Sequence, residues 1–144
     1  MRMKTPILLY CTDEDLLAPI AFALGLHHYD VAATRDATVA MELARGREAA
    51  LACGVLVHSH RGDPAGRLVH RLLESGSRVP LLLVDRAGDL APVRYADIVL
   101  YGRNTKMAHI LAALDTLRQR KSGSPASPLL TYWGGKRGLK SERT

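Results

Sequence analysis

Cysteine is scarce in this sequence: Cys11 and Cys53 are the only two, and neither belongs to a CxxC pair or a disulfide-like spacing. That excludes a disulfide-stapled scaffold and makes a reducing cytoplasm the expected compartment. Long hydrophobic runs are missing as well. The apolar stretches fall far short of the roughly 18 residues that a membrane-spanning helix needs. The basic start MRMK leads into a short apolar run that stops at Asp13, Glu14 and Asp15, unlike an export signal. Neither a membrane span nor a secretory leader is expected. Signatures of common chemistry are also absent: no GxGxxG follows the first apolar run, and there is no GxxxxGK[ST] loop, no HExxH and no helix-turn-helix pattern. Nothing therefore argues for a nucleotide enzyme. His27 and His28 abut a turn and read as surface or packing residues rather than ligands.

What is present describes one globular domain: 144 residues, 47% hydrophobic and 24% charged, enough to bury a core without staples. The net charge of +6 is unevenly placed. Up to Arg120 there are 15 Lys and Arg against 13 Asp and Glu, and from Lys121 onward 5 against 1. The body is nearly neutral, and the excess sits in KSGSPASPLLTYWGGKRGLKSERT, whose Gly, Ser and Pro content reads as a flexible basic tail. We expect a folded domain over residues 1–120 and a tail over 121–144.

Along the body, short continuous apolar runs alternate with segments of helical periodicity. PILLY (6–10) reads as a strand buried on both faces. Thr12, with Asp15 three residues on, then resembles a capping box before Leu16, Leu17, Ile20, Ala21 and Leu24 recur at helical spacing. YDVAAT follows as a second strand, Asp36 caps a helix through about Arg47, and GVLVHS is a third strand leading to a helix near 67–74. VPLLLVD (79–85) and ADIVLY (96–101) make a fourth and a fifth strand. Asn104 or Thr105 then caps a last helix carrying Met107, Ile110, Leu111, Leu114 and Leu117. Such alternation implies right-handed crossovers and a parallel sheet with helices on both faces. The expected architecture is α/β: a flavodoxin-like, doubly wound, five-stranded sheet in the order 2-1-3-4-5, whose functional crevice lies outside the carboxyl ends of the strands. Between the fourth and fifth strands only RAGDLAPVRY is available, and Gly88 and Pro92 oppose a helix there. The fourth helix of such a fold is expected to be shortened or missing.

The order and lengths of these elements, over about residues 5–120, resemble the receiver domain of bacterial response regulators. The most specific stretch is GVLVHSHRGDPAGRLVHRLL. In receivers a phosphorylatable aspartate ends the third strand, and a glycine opens the third helix eight positions later. Counting back eight from Gly66 lands on His58. The family's acidic, magnesium-holding pair falls on Cys11 and Thr12, with Asp13 as the carboxylate close by. Its hydroxyl residue falls on Asp85, and its lysine falls on Gly102, or on Arg103 if the register slips by one. The aromatic switch position falls on Val99, with Tyr101 two residues later. Aspartyl phosphorylation needs the carboxylate as nucleophile and a hard divalent cation beside it. These positions therefore form a degenerate phosphorylation site.

The resemblance thus implies an atypical receiver, or pseudo-receiver: a stand-alone, noncatalytic module of bacterial signal transduction that works through a regulatory protein partner and needs no cofactor. Other readings of the crevice stay open. His58 can be a phosphate acceptor, or Cys11 and His58 a nucleophile and its base. If the third strand continues far enough, His58 and His60 share a face and, with Cys11, Asp13 and Asp85, form a nitrogen, sulfur and oxygen set for zinc. A metal- or small-molecule-binding sensor is the corresponding alternative function. The tail offers two more. Leu129, Leu130, Tyr132 and Trp133 form an apolar cluster suited to a protein partner, whereas Lys121, Lys136, Arg137, Lys140 and Arg143 with the aromatics suit weak nucleic-acid binding. The apolar stripe of the last helix is either wholly core or partly the seam of a homodimer.

Overall fold

The computed structural model describes residues 4–47, 50–88, 96–103, 105–121 and 130–133. Its elements run β1 (Thr5–Cys11), α1 (Glu14–Leu26), β2 (Tyr29–Thr34), α2 (Ala37–Gly46), β3 (Cys53–His58), α3 (Ala65–Glu74), β4 (Leu81–Asp85), β5 (Ile98–Tyr101), α4 (Met107–Lys121) and β6 (Leu130–Trp133). The sheet order is β2-β1-β3-β4-β5-β6, and every pairing is parallel. Its first five strands keep the expected order 2-1-3-4-5.

Alternation along the strands divides the core. Ile7, Leu9 and Cys11, with Val55, Val57, Leu82, Val84, Ile98 and Leu100, pack against Ile20 and Leu24 of α1 and Ile110, Leu114 and Leu117 of α4. Leu8, Tyr10, Leu56, Leu81, Leu83 and Val99 point the other way, onto Ala40, Met41 and Ala44 of α2 and Leu68, Val69 and Leu72 of α3. Strands covered on both faces have no polar face to show. That is why β3 and β4 are buried at every residue, while the edge strand β2 mixes buried and exposed positions.

The helix starts follow from side-chain acceptors for otherwise unpaired N–H groups. Asp36 accepts from the N–H of Thr38 at 2.7 Å and of Val39 at 3.3 Å, as its position predicts. At α1 the expectation needs correcting. The cap is Asp13, whose carboxylate accepts from the Asp15 N–H at 2.9 Å, because the Thr12 hydroxyl is engaged elsewhere. The helix runs past Gly25 to Leu26, and the left-handed residue behind it is His28, with φ of 69°.

Two further differences concern the carboxyl-terminal half. Among the described residues between β4 and β5, namely 86–88 and 96–97, there is no helix. The rest of that connection, 89–95 with Pro92, lies outside the described residues, as do Asn104 and Leu129. Four residues assigned from the sequence to a flexible tail, Leu130–Trp133, are instead a sixth strand, with Ile98 opposite Leu130 and Tyr101 opposite Trp133. The physical reason is an open edge: β5 leaves backbone groups unpaired on its outer side, and LTYW is the apolar, β-prone segment within reach after α4.

Candidate functional site

In an open parallel sheet the loops after the strands surround a crevice at their carboxyl ends. Here the loops after β1, β3, β4 and β5 enclose one of about 570 Å³, lined by Asp13, Asp15, Leu16, Ser59, His60, Arg61, Arg86, Ala87 and Arg103.

The parity of the strands decides which expected site residues meet. Cys11 has the parity of Ile7 and Leu9 and joins the cluster under α1 and α4. His58 has the parity of Leu56, on the face of α2 and α3. The two therefore lie on opposite faces of the sheet, and the proposed nucleophile and base are not brought together. Cys11 is fully buried, and its Sγ lies 3.5 Å from the Asp13 carbonyl. Burial, chiefly, holds its thiol pKa above the ordinary value, so the thiol stays protonated at neutral pH. His60 does not share a strand face with His58 either. β3 ends at His58, so His60 lies in the loop with a side chain 61% exposed, whereas His58 is 2% exposed. The zinc set therefore does not assemble, and no group of three or more His, Cys, Asp or Glu suited to a metal occurs among the described residues.

His58 stands level with Asp85 on β4, and Asp85 stands level with Tyr101 on β5. Residues level on adjacent parallel strands face the same way, so the three make a polar row at the end of the sheet. Asp85 is fully buried and accepts from the Gly88 N–H at 2.8 Å. Burial and then the Asp85 charge raise the pKa of the Tyr101 phenol. Val99, the other partner candidate on β5, is buried in the core under α2 and α3 and offers no surface for docking. Gly102 has φ of 112°, its N–H donates to the Asp85 carbonyl at 3.0 Å, and its own carbonyl accepts from the Thr105 hydroxyl at 2.8 Å. Only glycine adopts that backbone cheaply. Arg103 follows, exposed at the crevice.

Sequence reasoning missed the residue that ties the site together. Asp63, 6% exposed, accepts through Oδ2 from Thr12 Oγ1 at 2.9 Å, from the Ser59 N–H at 3.1 Å and from Ser59 Oγ at 3.0 Å. Its Oδ1 accepts from the Ala65 N–H at 3.0 Å, which starts α3. His60 Nδ1 lies 3.7 Å from Oδ2. One buried carboxylate thus latches the loop after β1 to the loop after β3. The signal was an Asp-Pro pair just ahead of a helix, a place where a carboxylate is needed as a cap. Also passed over were Phe22 and Leu26, one turn apart on α1 and 70% and 65% exposed.

No family model matches the sequence, and no curated protein matches it significantly. Solved structures do. A response-regulator receiver domain protein from Clostridium thermocellum superposes with a TM-score of 0.72 at 14% identity, covering 82% of this chain and 97% of that one. The signal receiver domain of an HD-domain-containing protein from Pseudomonas fluorescens Pf-5 gives 0.70 at 20% identity, covering 85% and 92%. The receiver domain of the Francisella response regulator 1452 gives 0.69 at 12% identity, covering 82% and 99%. The chain has the receiver fold.

Proposed function

We propose that this chain is an atypical receiver: a noncatalytic signalling module that acts by protein–protein interaction, in the cytoplasm, without aspartyl phosphorylation. The observation that carries the reading is His58, 2% exposed at the carboxyl end of β3, where the receivers that the sequence resembles carry their phosphoacceptor carboxylate. Two of the nearby carboxylates are otherwise occupied. Asp13 caps α1, and Asp63 is saturated by hydroxyl and amide donors. A carboxylate that accepts several hydrogen bonds is a poor nucleophile, since those bonds stabilise the ground-state charge that attack must give up. Guanidinium groups at Arg86 and Arg103, facing carboxylates that are confined to the start of α1, disfavour the divalent cation that phosphoryl transfer requires. The exposed apolar pair Phe22 and Leu26 supports an interaction role.

The test is intact-mass spectrometry after incubation with magnesium and acetyl phosphate. The expected result is an unchanged mass. A gain of one phosphoryl group that is lost in Asp13→Ala or Asp63→Asn sinks the proposal and restores a phosphorylation switch, and a gain lost in His58→Ala does the same through a phosphohistidine.

A further inference from the structure

The crevice at the strand ends has an imbalance of accounted charge. Its carboxylates belong to the first turn of α1, where Asp13 is the cap and Asp15 lies beside the helix's positive end, so both have a structural reason to be there. Two of its guanidiniums, those of Arg86 and Arg103, have none of that kind. Arg86 follows β4 and Arg103 follows β5, they come from different loops, and both line the same concavity. Neither takes part in an ion pair with another described residue. The loop after β3 adds the hydroxyl of Ser59 and the ring of His60 to the same lining, held in place by Asp63.

We infer that this crevice is a binding site for a small soluble phosphorylated anion, gripped by Arg86 and Arg103. A guanidinium offers paired N–H donors that match phosphate oxygens in two-pronged contacts. Two of them from separate loops, with the His60 imidazole beside them, suit a ligand with more than one anionic group. A volume of about 570 Å³ lies in the range of small-molecule sites and has room for a diphosphate with an organic substituent on the side of Leu16 and Ala87. The same positive charge that disfavours a divalent cation at this end of the sheet would thus hold an anion. The inference stands apart from the partner-docking proposal, because phosphorylation by acetyl phosphate would overturn that one while leaving this one to be judged by binding.

The probes are inorganic pyrophosphate, ADP and GDP, titrated calorimetrically into the full-length chain, with sulfate as the control. Saturable one-to-one binding of pyrophosphate is expected, weakened at least about tenfold in Arg86→Ala and again in Arg86→Ala/Arg103→Ala, the size of effect of losing a charged hydrogen-bond donor. Arg86→Lys should recover part of it. Tighter binding of ADP or GDP than of pyrophosphate identifies a nucleotide; equal binding identifies the bare diphosphate. A variant with Lys136, Arg137 and Lys140 changed to Ala keeps the affinity if the crevice is the site. Loss of binding in that variant, or retention in the double arginine variant with its fold intact by circular dichroism, overturns the inference. So does non-saturating uptake shared with sulfate.

Discussion

Replacing Asp63 with alanine removes one side chain and unties two loops. The carboxylate receives four hydrogen bonds of 2.9 to 3.1 Å, from Thr12, twice from Ser59, and from the Ala65 N–H. Losing the acceptor at the start of α3 costs about 1 kcal/mol, the usual worth of a helix cap. The bonds from Thr12 and Ser59 end on a buried charge and would each be worth about 1.5 kcal/mol or more if independent. They are not independent, and both residues are half-buried, so water replaces part of what is lost. A total of about 3 kcal/mol is the reasoned cost, a large share of the roughly 5–15 kcal/mol that keeps such a domain folded. Asp63→Asn keeps the shape and one acceptor oxygen but turns an amide N–H₂ toward hydroxyl and amide donors, and should cost about half as much. Urea unfolding with an unchanged slope is the assay; at about 2 kcal/mol per M, Asp63→Ala moves the midpoint down by about 1.5 M. Ser59→Ala should cost less in the Asp63→Ala background than in the native one, since the two residues share the bond. A midpoint for Asp63→Ala within about 0.25 M of the native protein, or fully additive costs for the pair, refutes the latch.

Four further outcomes are expected. His28→Gly relieves a left-handed backbone on an exposed residue and should stabilise by about 0.5–1 kcal/mol, a rise in Tm of about 2–4 °C; no rise would mean that the φ of 69° carries no strain. Burial, reinforced by the Asp63 charge, pushes Tyr10 up to about 12. The folded state therefore holds this proton more tightly than the unfolded chain, so its contribution is intact below pH about 10 and is lost as pH rises toward 12. Tyr10→Phe should flatten that alkaline loss in unfolding titrations, and an unaltered slope would discount the phenol. Cys11 and Cys53 are both buried free thiols, so a thiol reagent should label neither in the native protein and both after denaturation; rapid native labelling of Cys11 would contradict its placement. Ending the chain after Lys121 removes β6 and bares the outer edge of β5, an invitation to edge pairing; concentration-dependent self-association in light scattering is expected, and a monodisperse truncated protein would show that the edge needs no cover.

What the sequence made legible, and what it hid, follows from how far apart the interacting residues are. The buried strands could be seen because a strand covered on both faces must be apolar at every position, and β3 and β4 read that way without reference to anything else. Asp36 could be seen as a cap because its partners, Thr38 and Val39, are its neighbours. Thr12 could not be excluded as a cap from local pattern, since what takes its hydroxyl away is Asp63, 51 residues later. The same distance hid Asp63 itself: a turn aspartate before a proline looks like any other until the loop after β1 is brought against it. The pairing of His58 with His60 failed for a smaller reason, the end of a strand. Period-two reasoning holds only while the chain stays extended, and one residue past His58 it turns. β6 was hidden by composition, because the Gly, Ser and Pro around LLTYW read as a flexible tail and say nothing about an edge of β5 that a strand can pair. In each case the missing information was the position of a partner, and the sheet order supplies it: once β1 lies beside β3, the loops that follow them must meet, and a single carboxylate is enough to hold them.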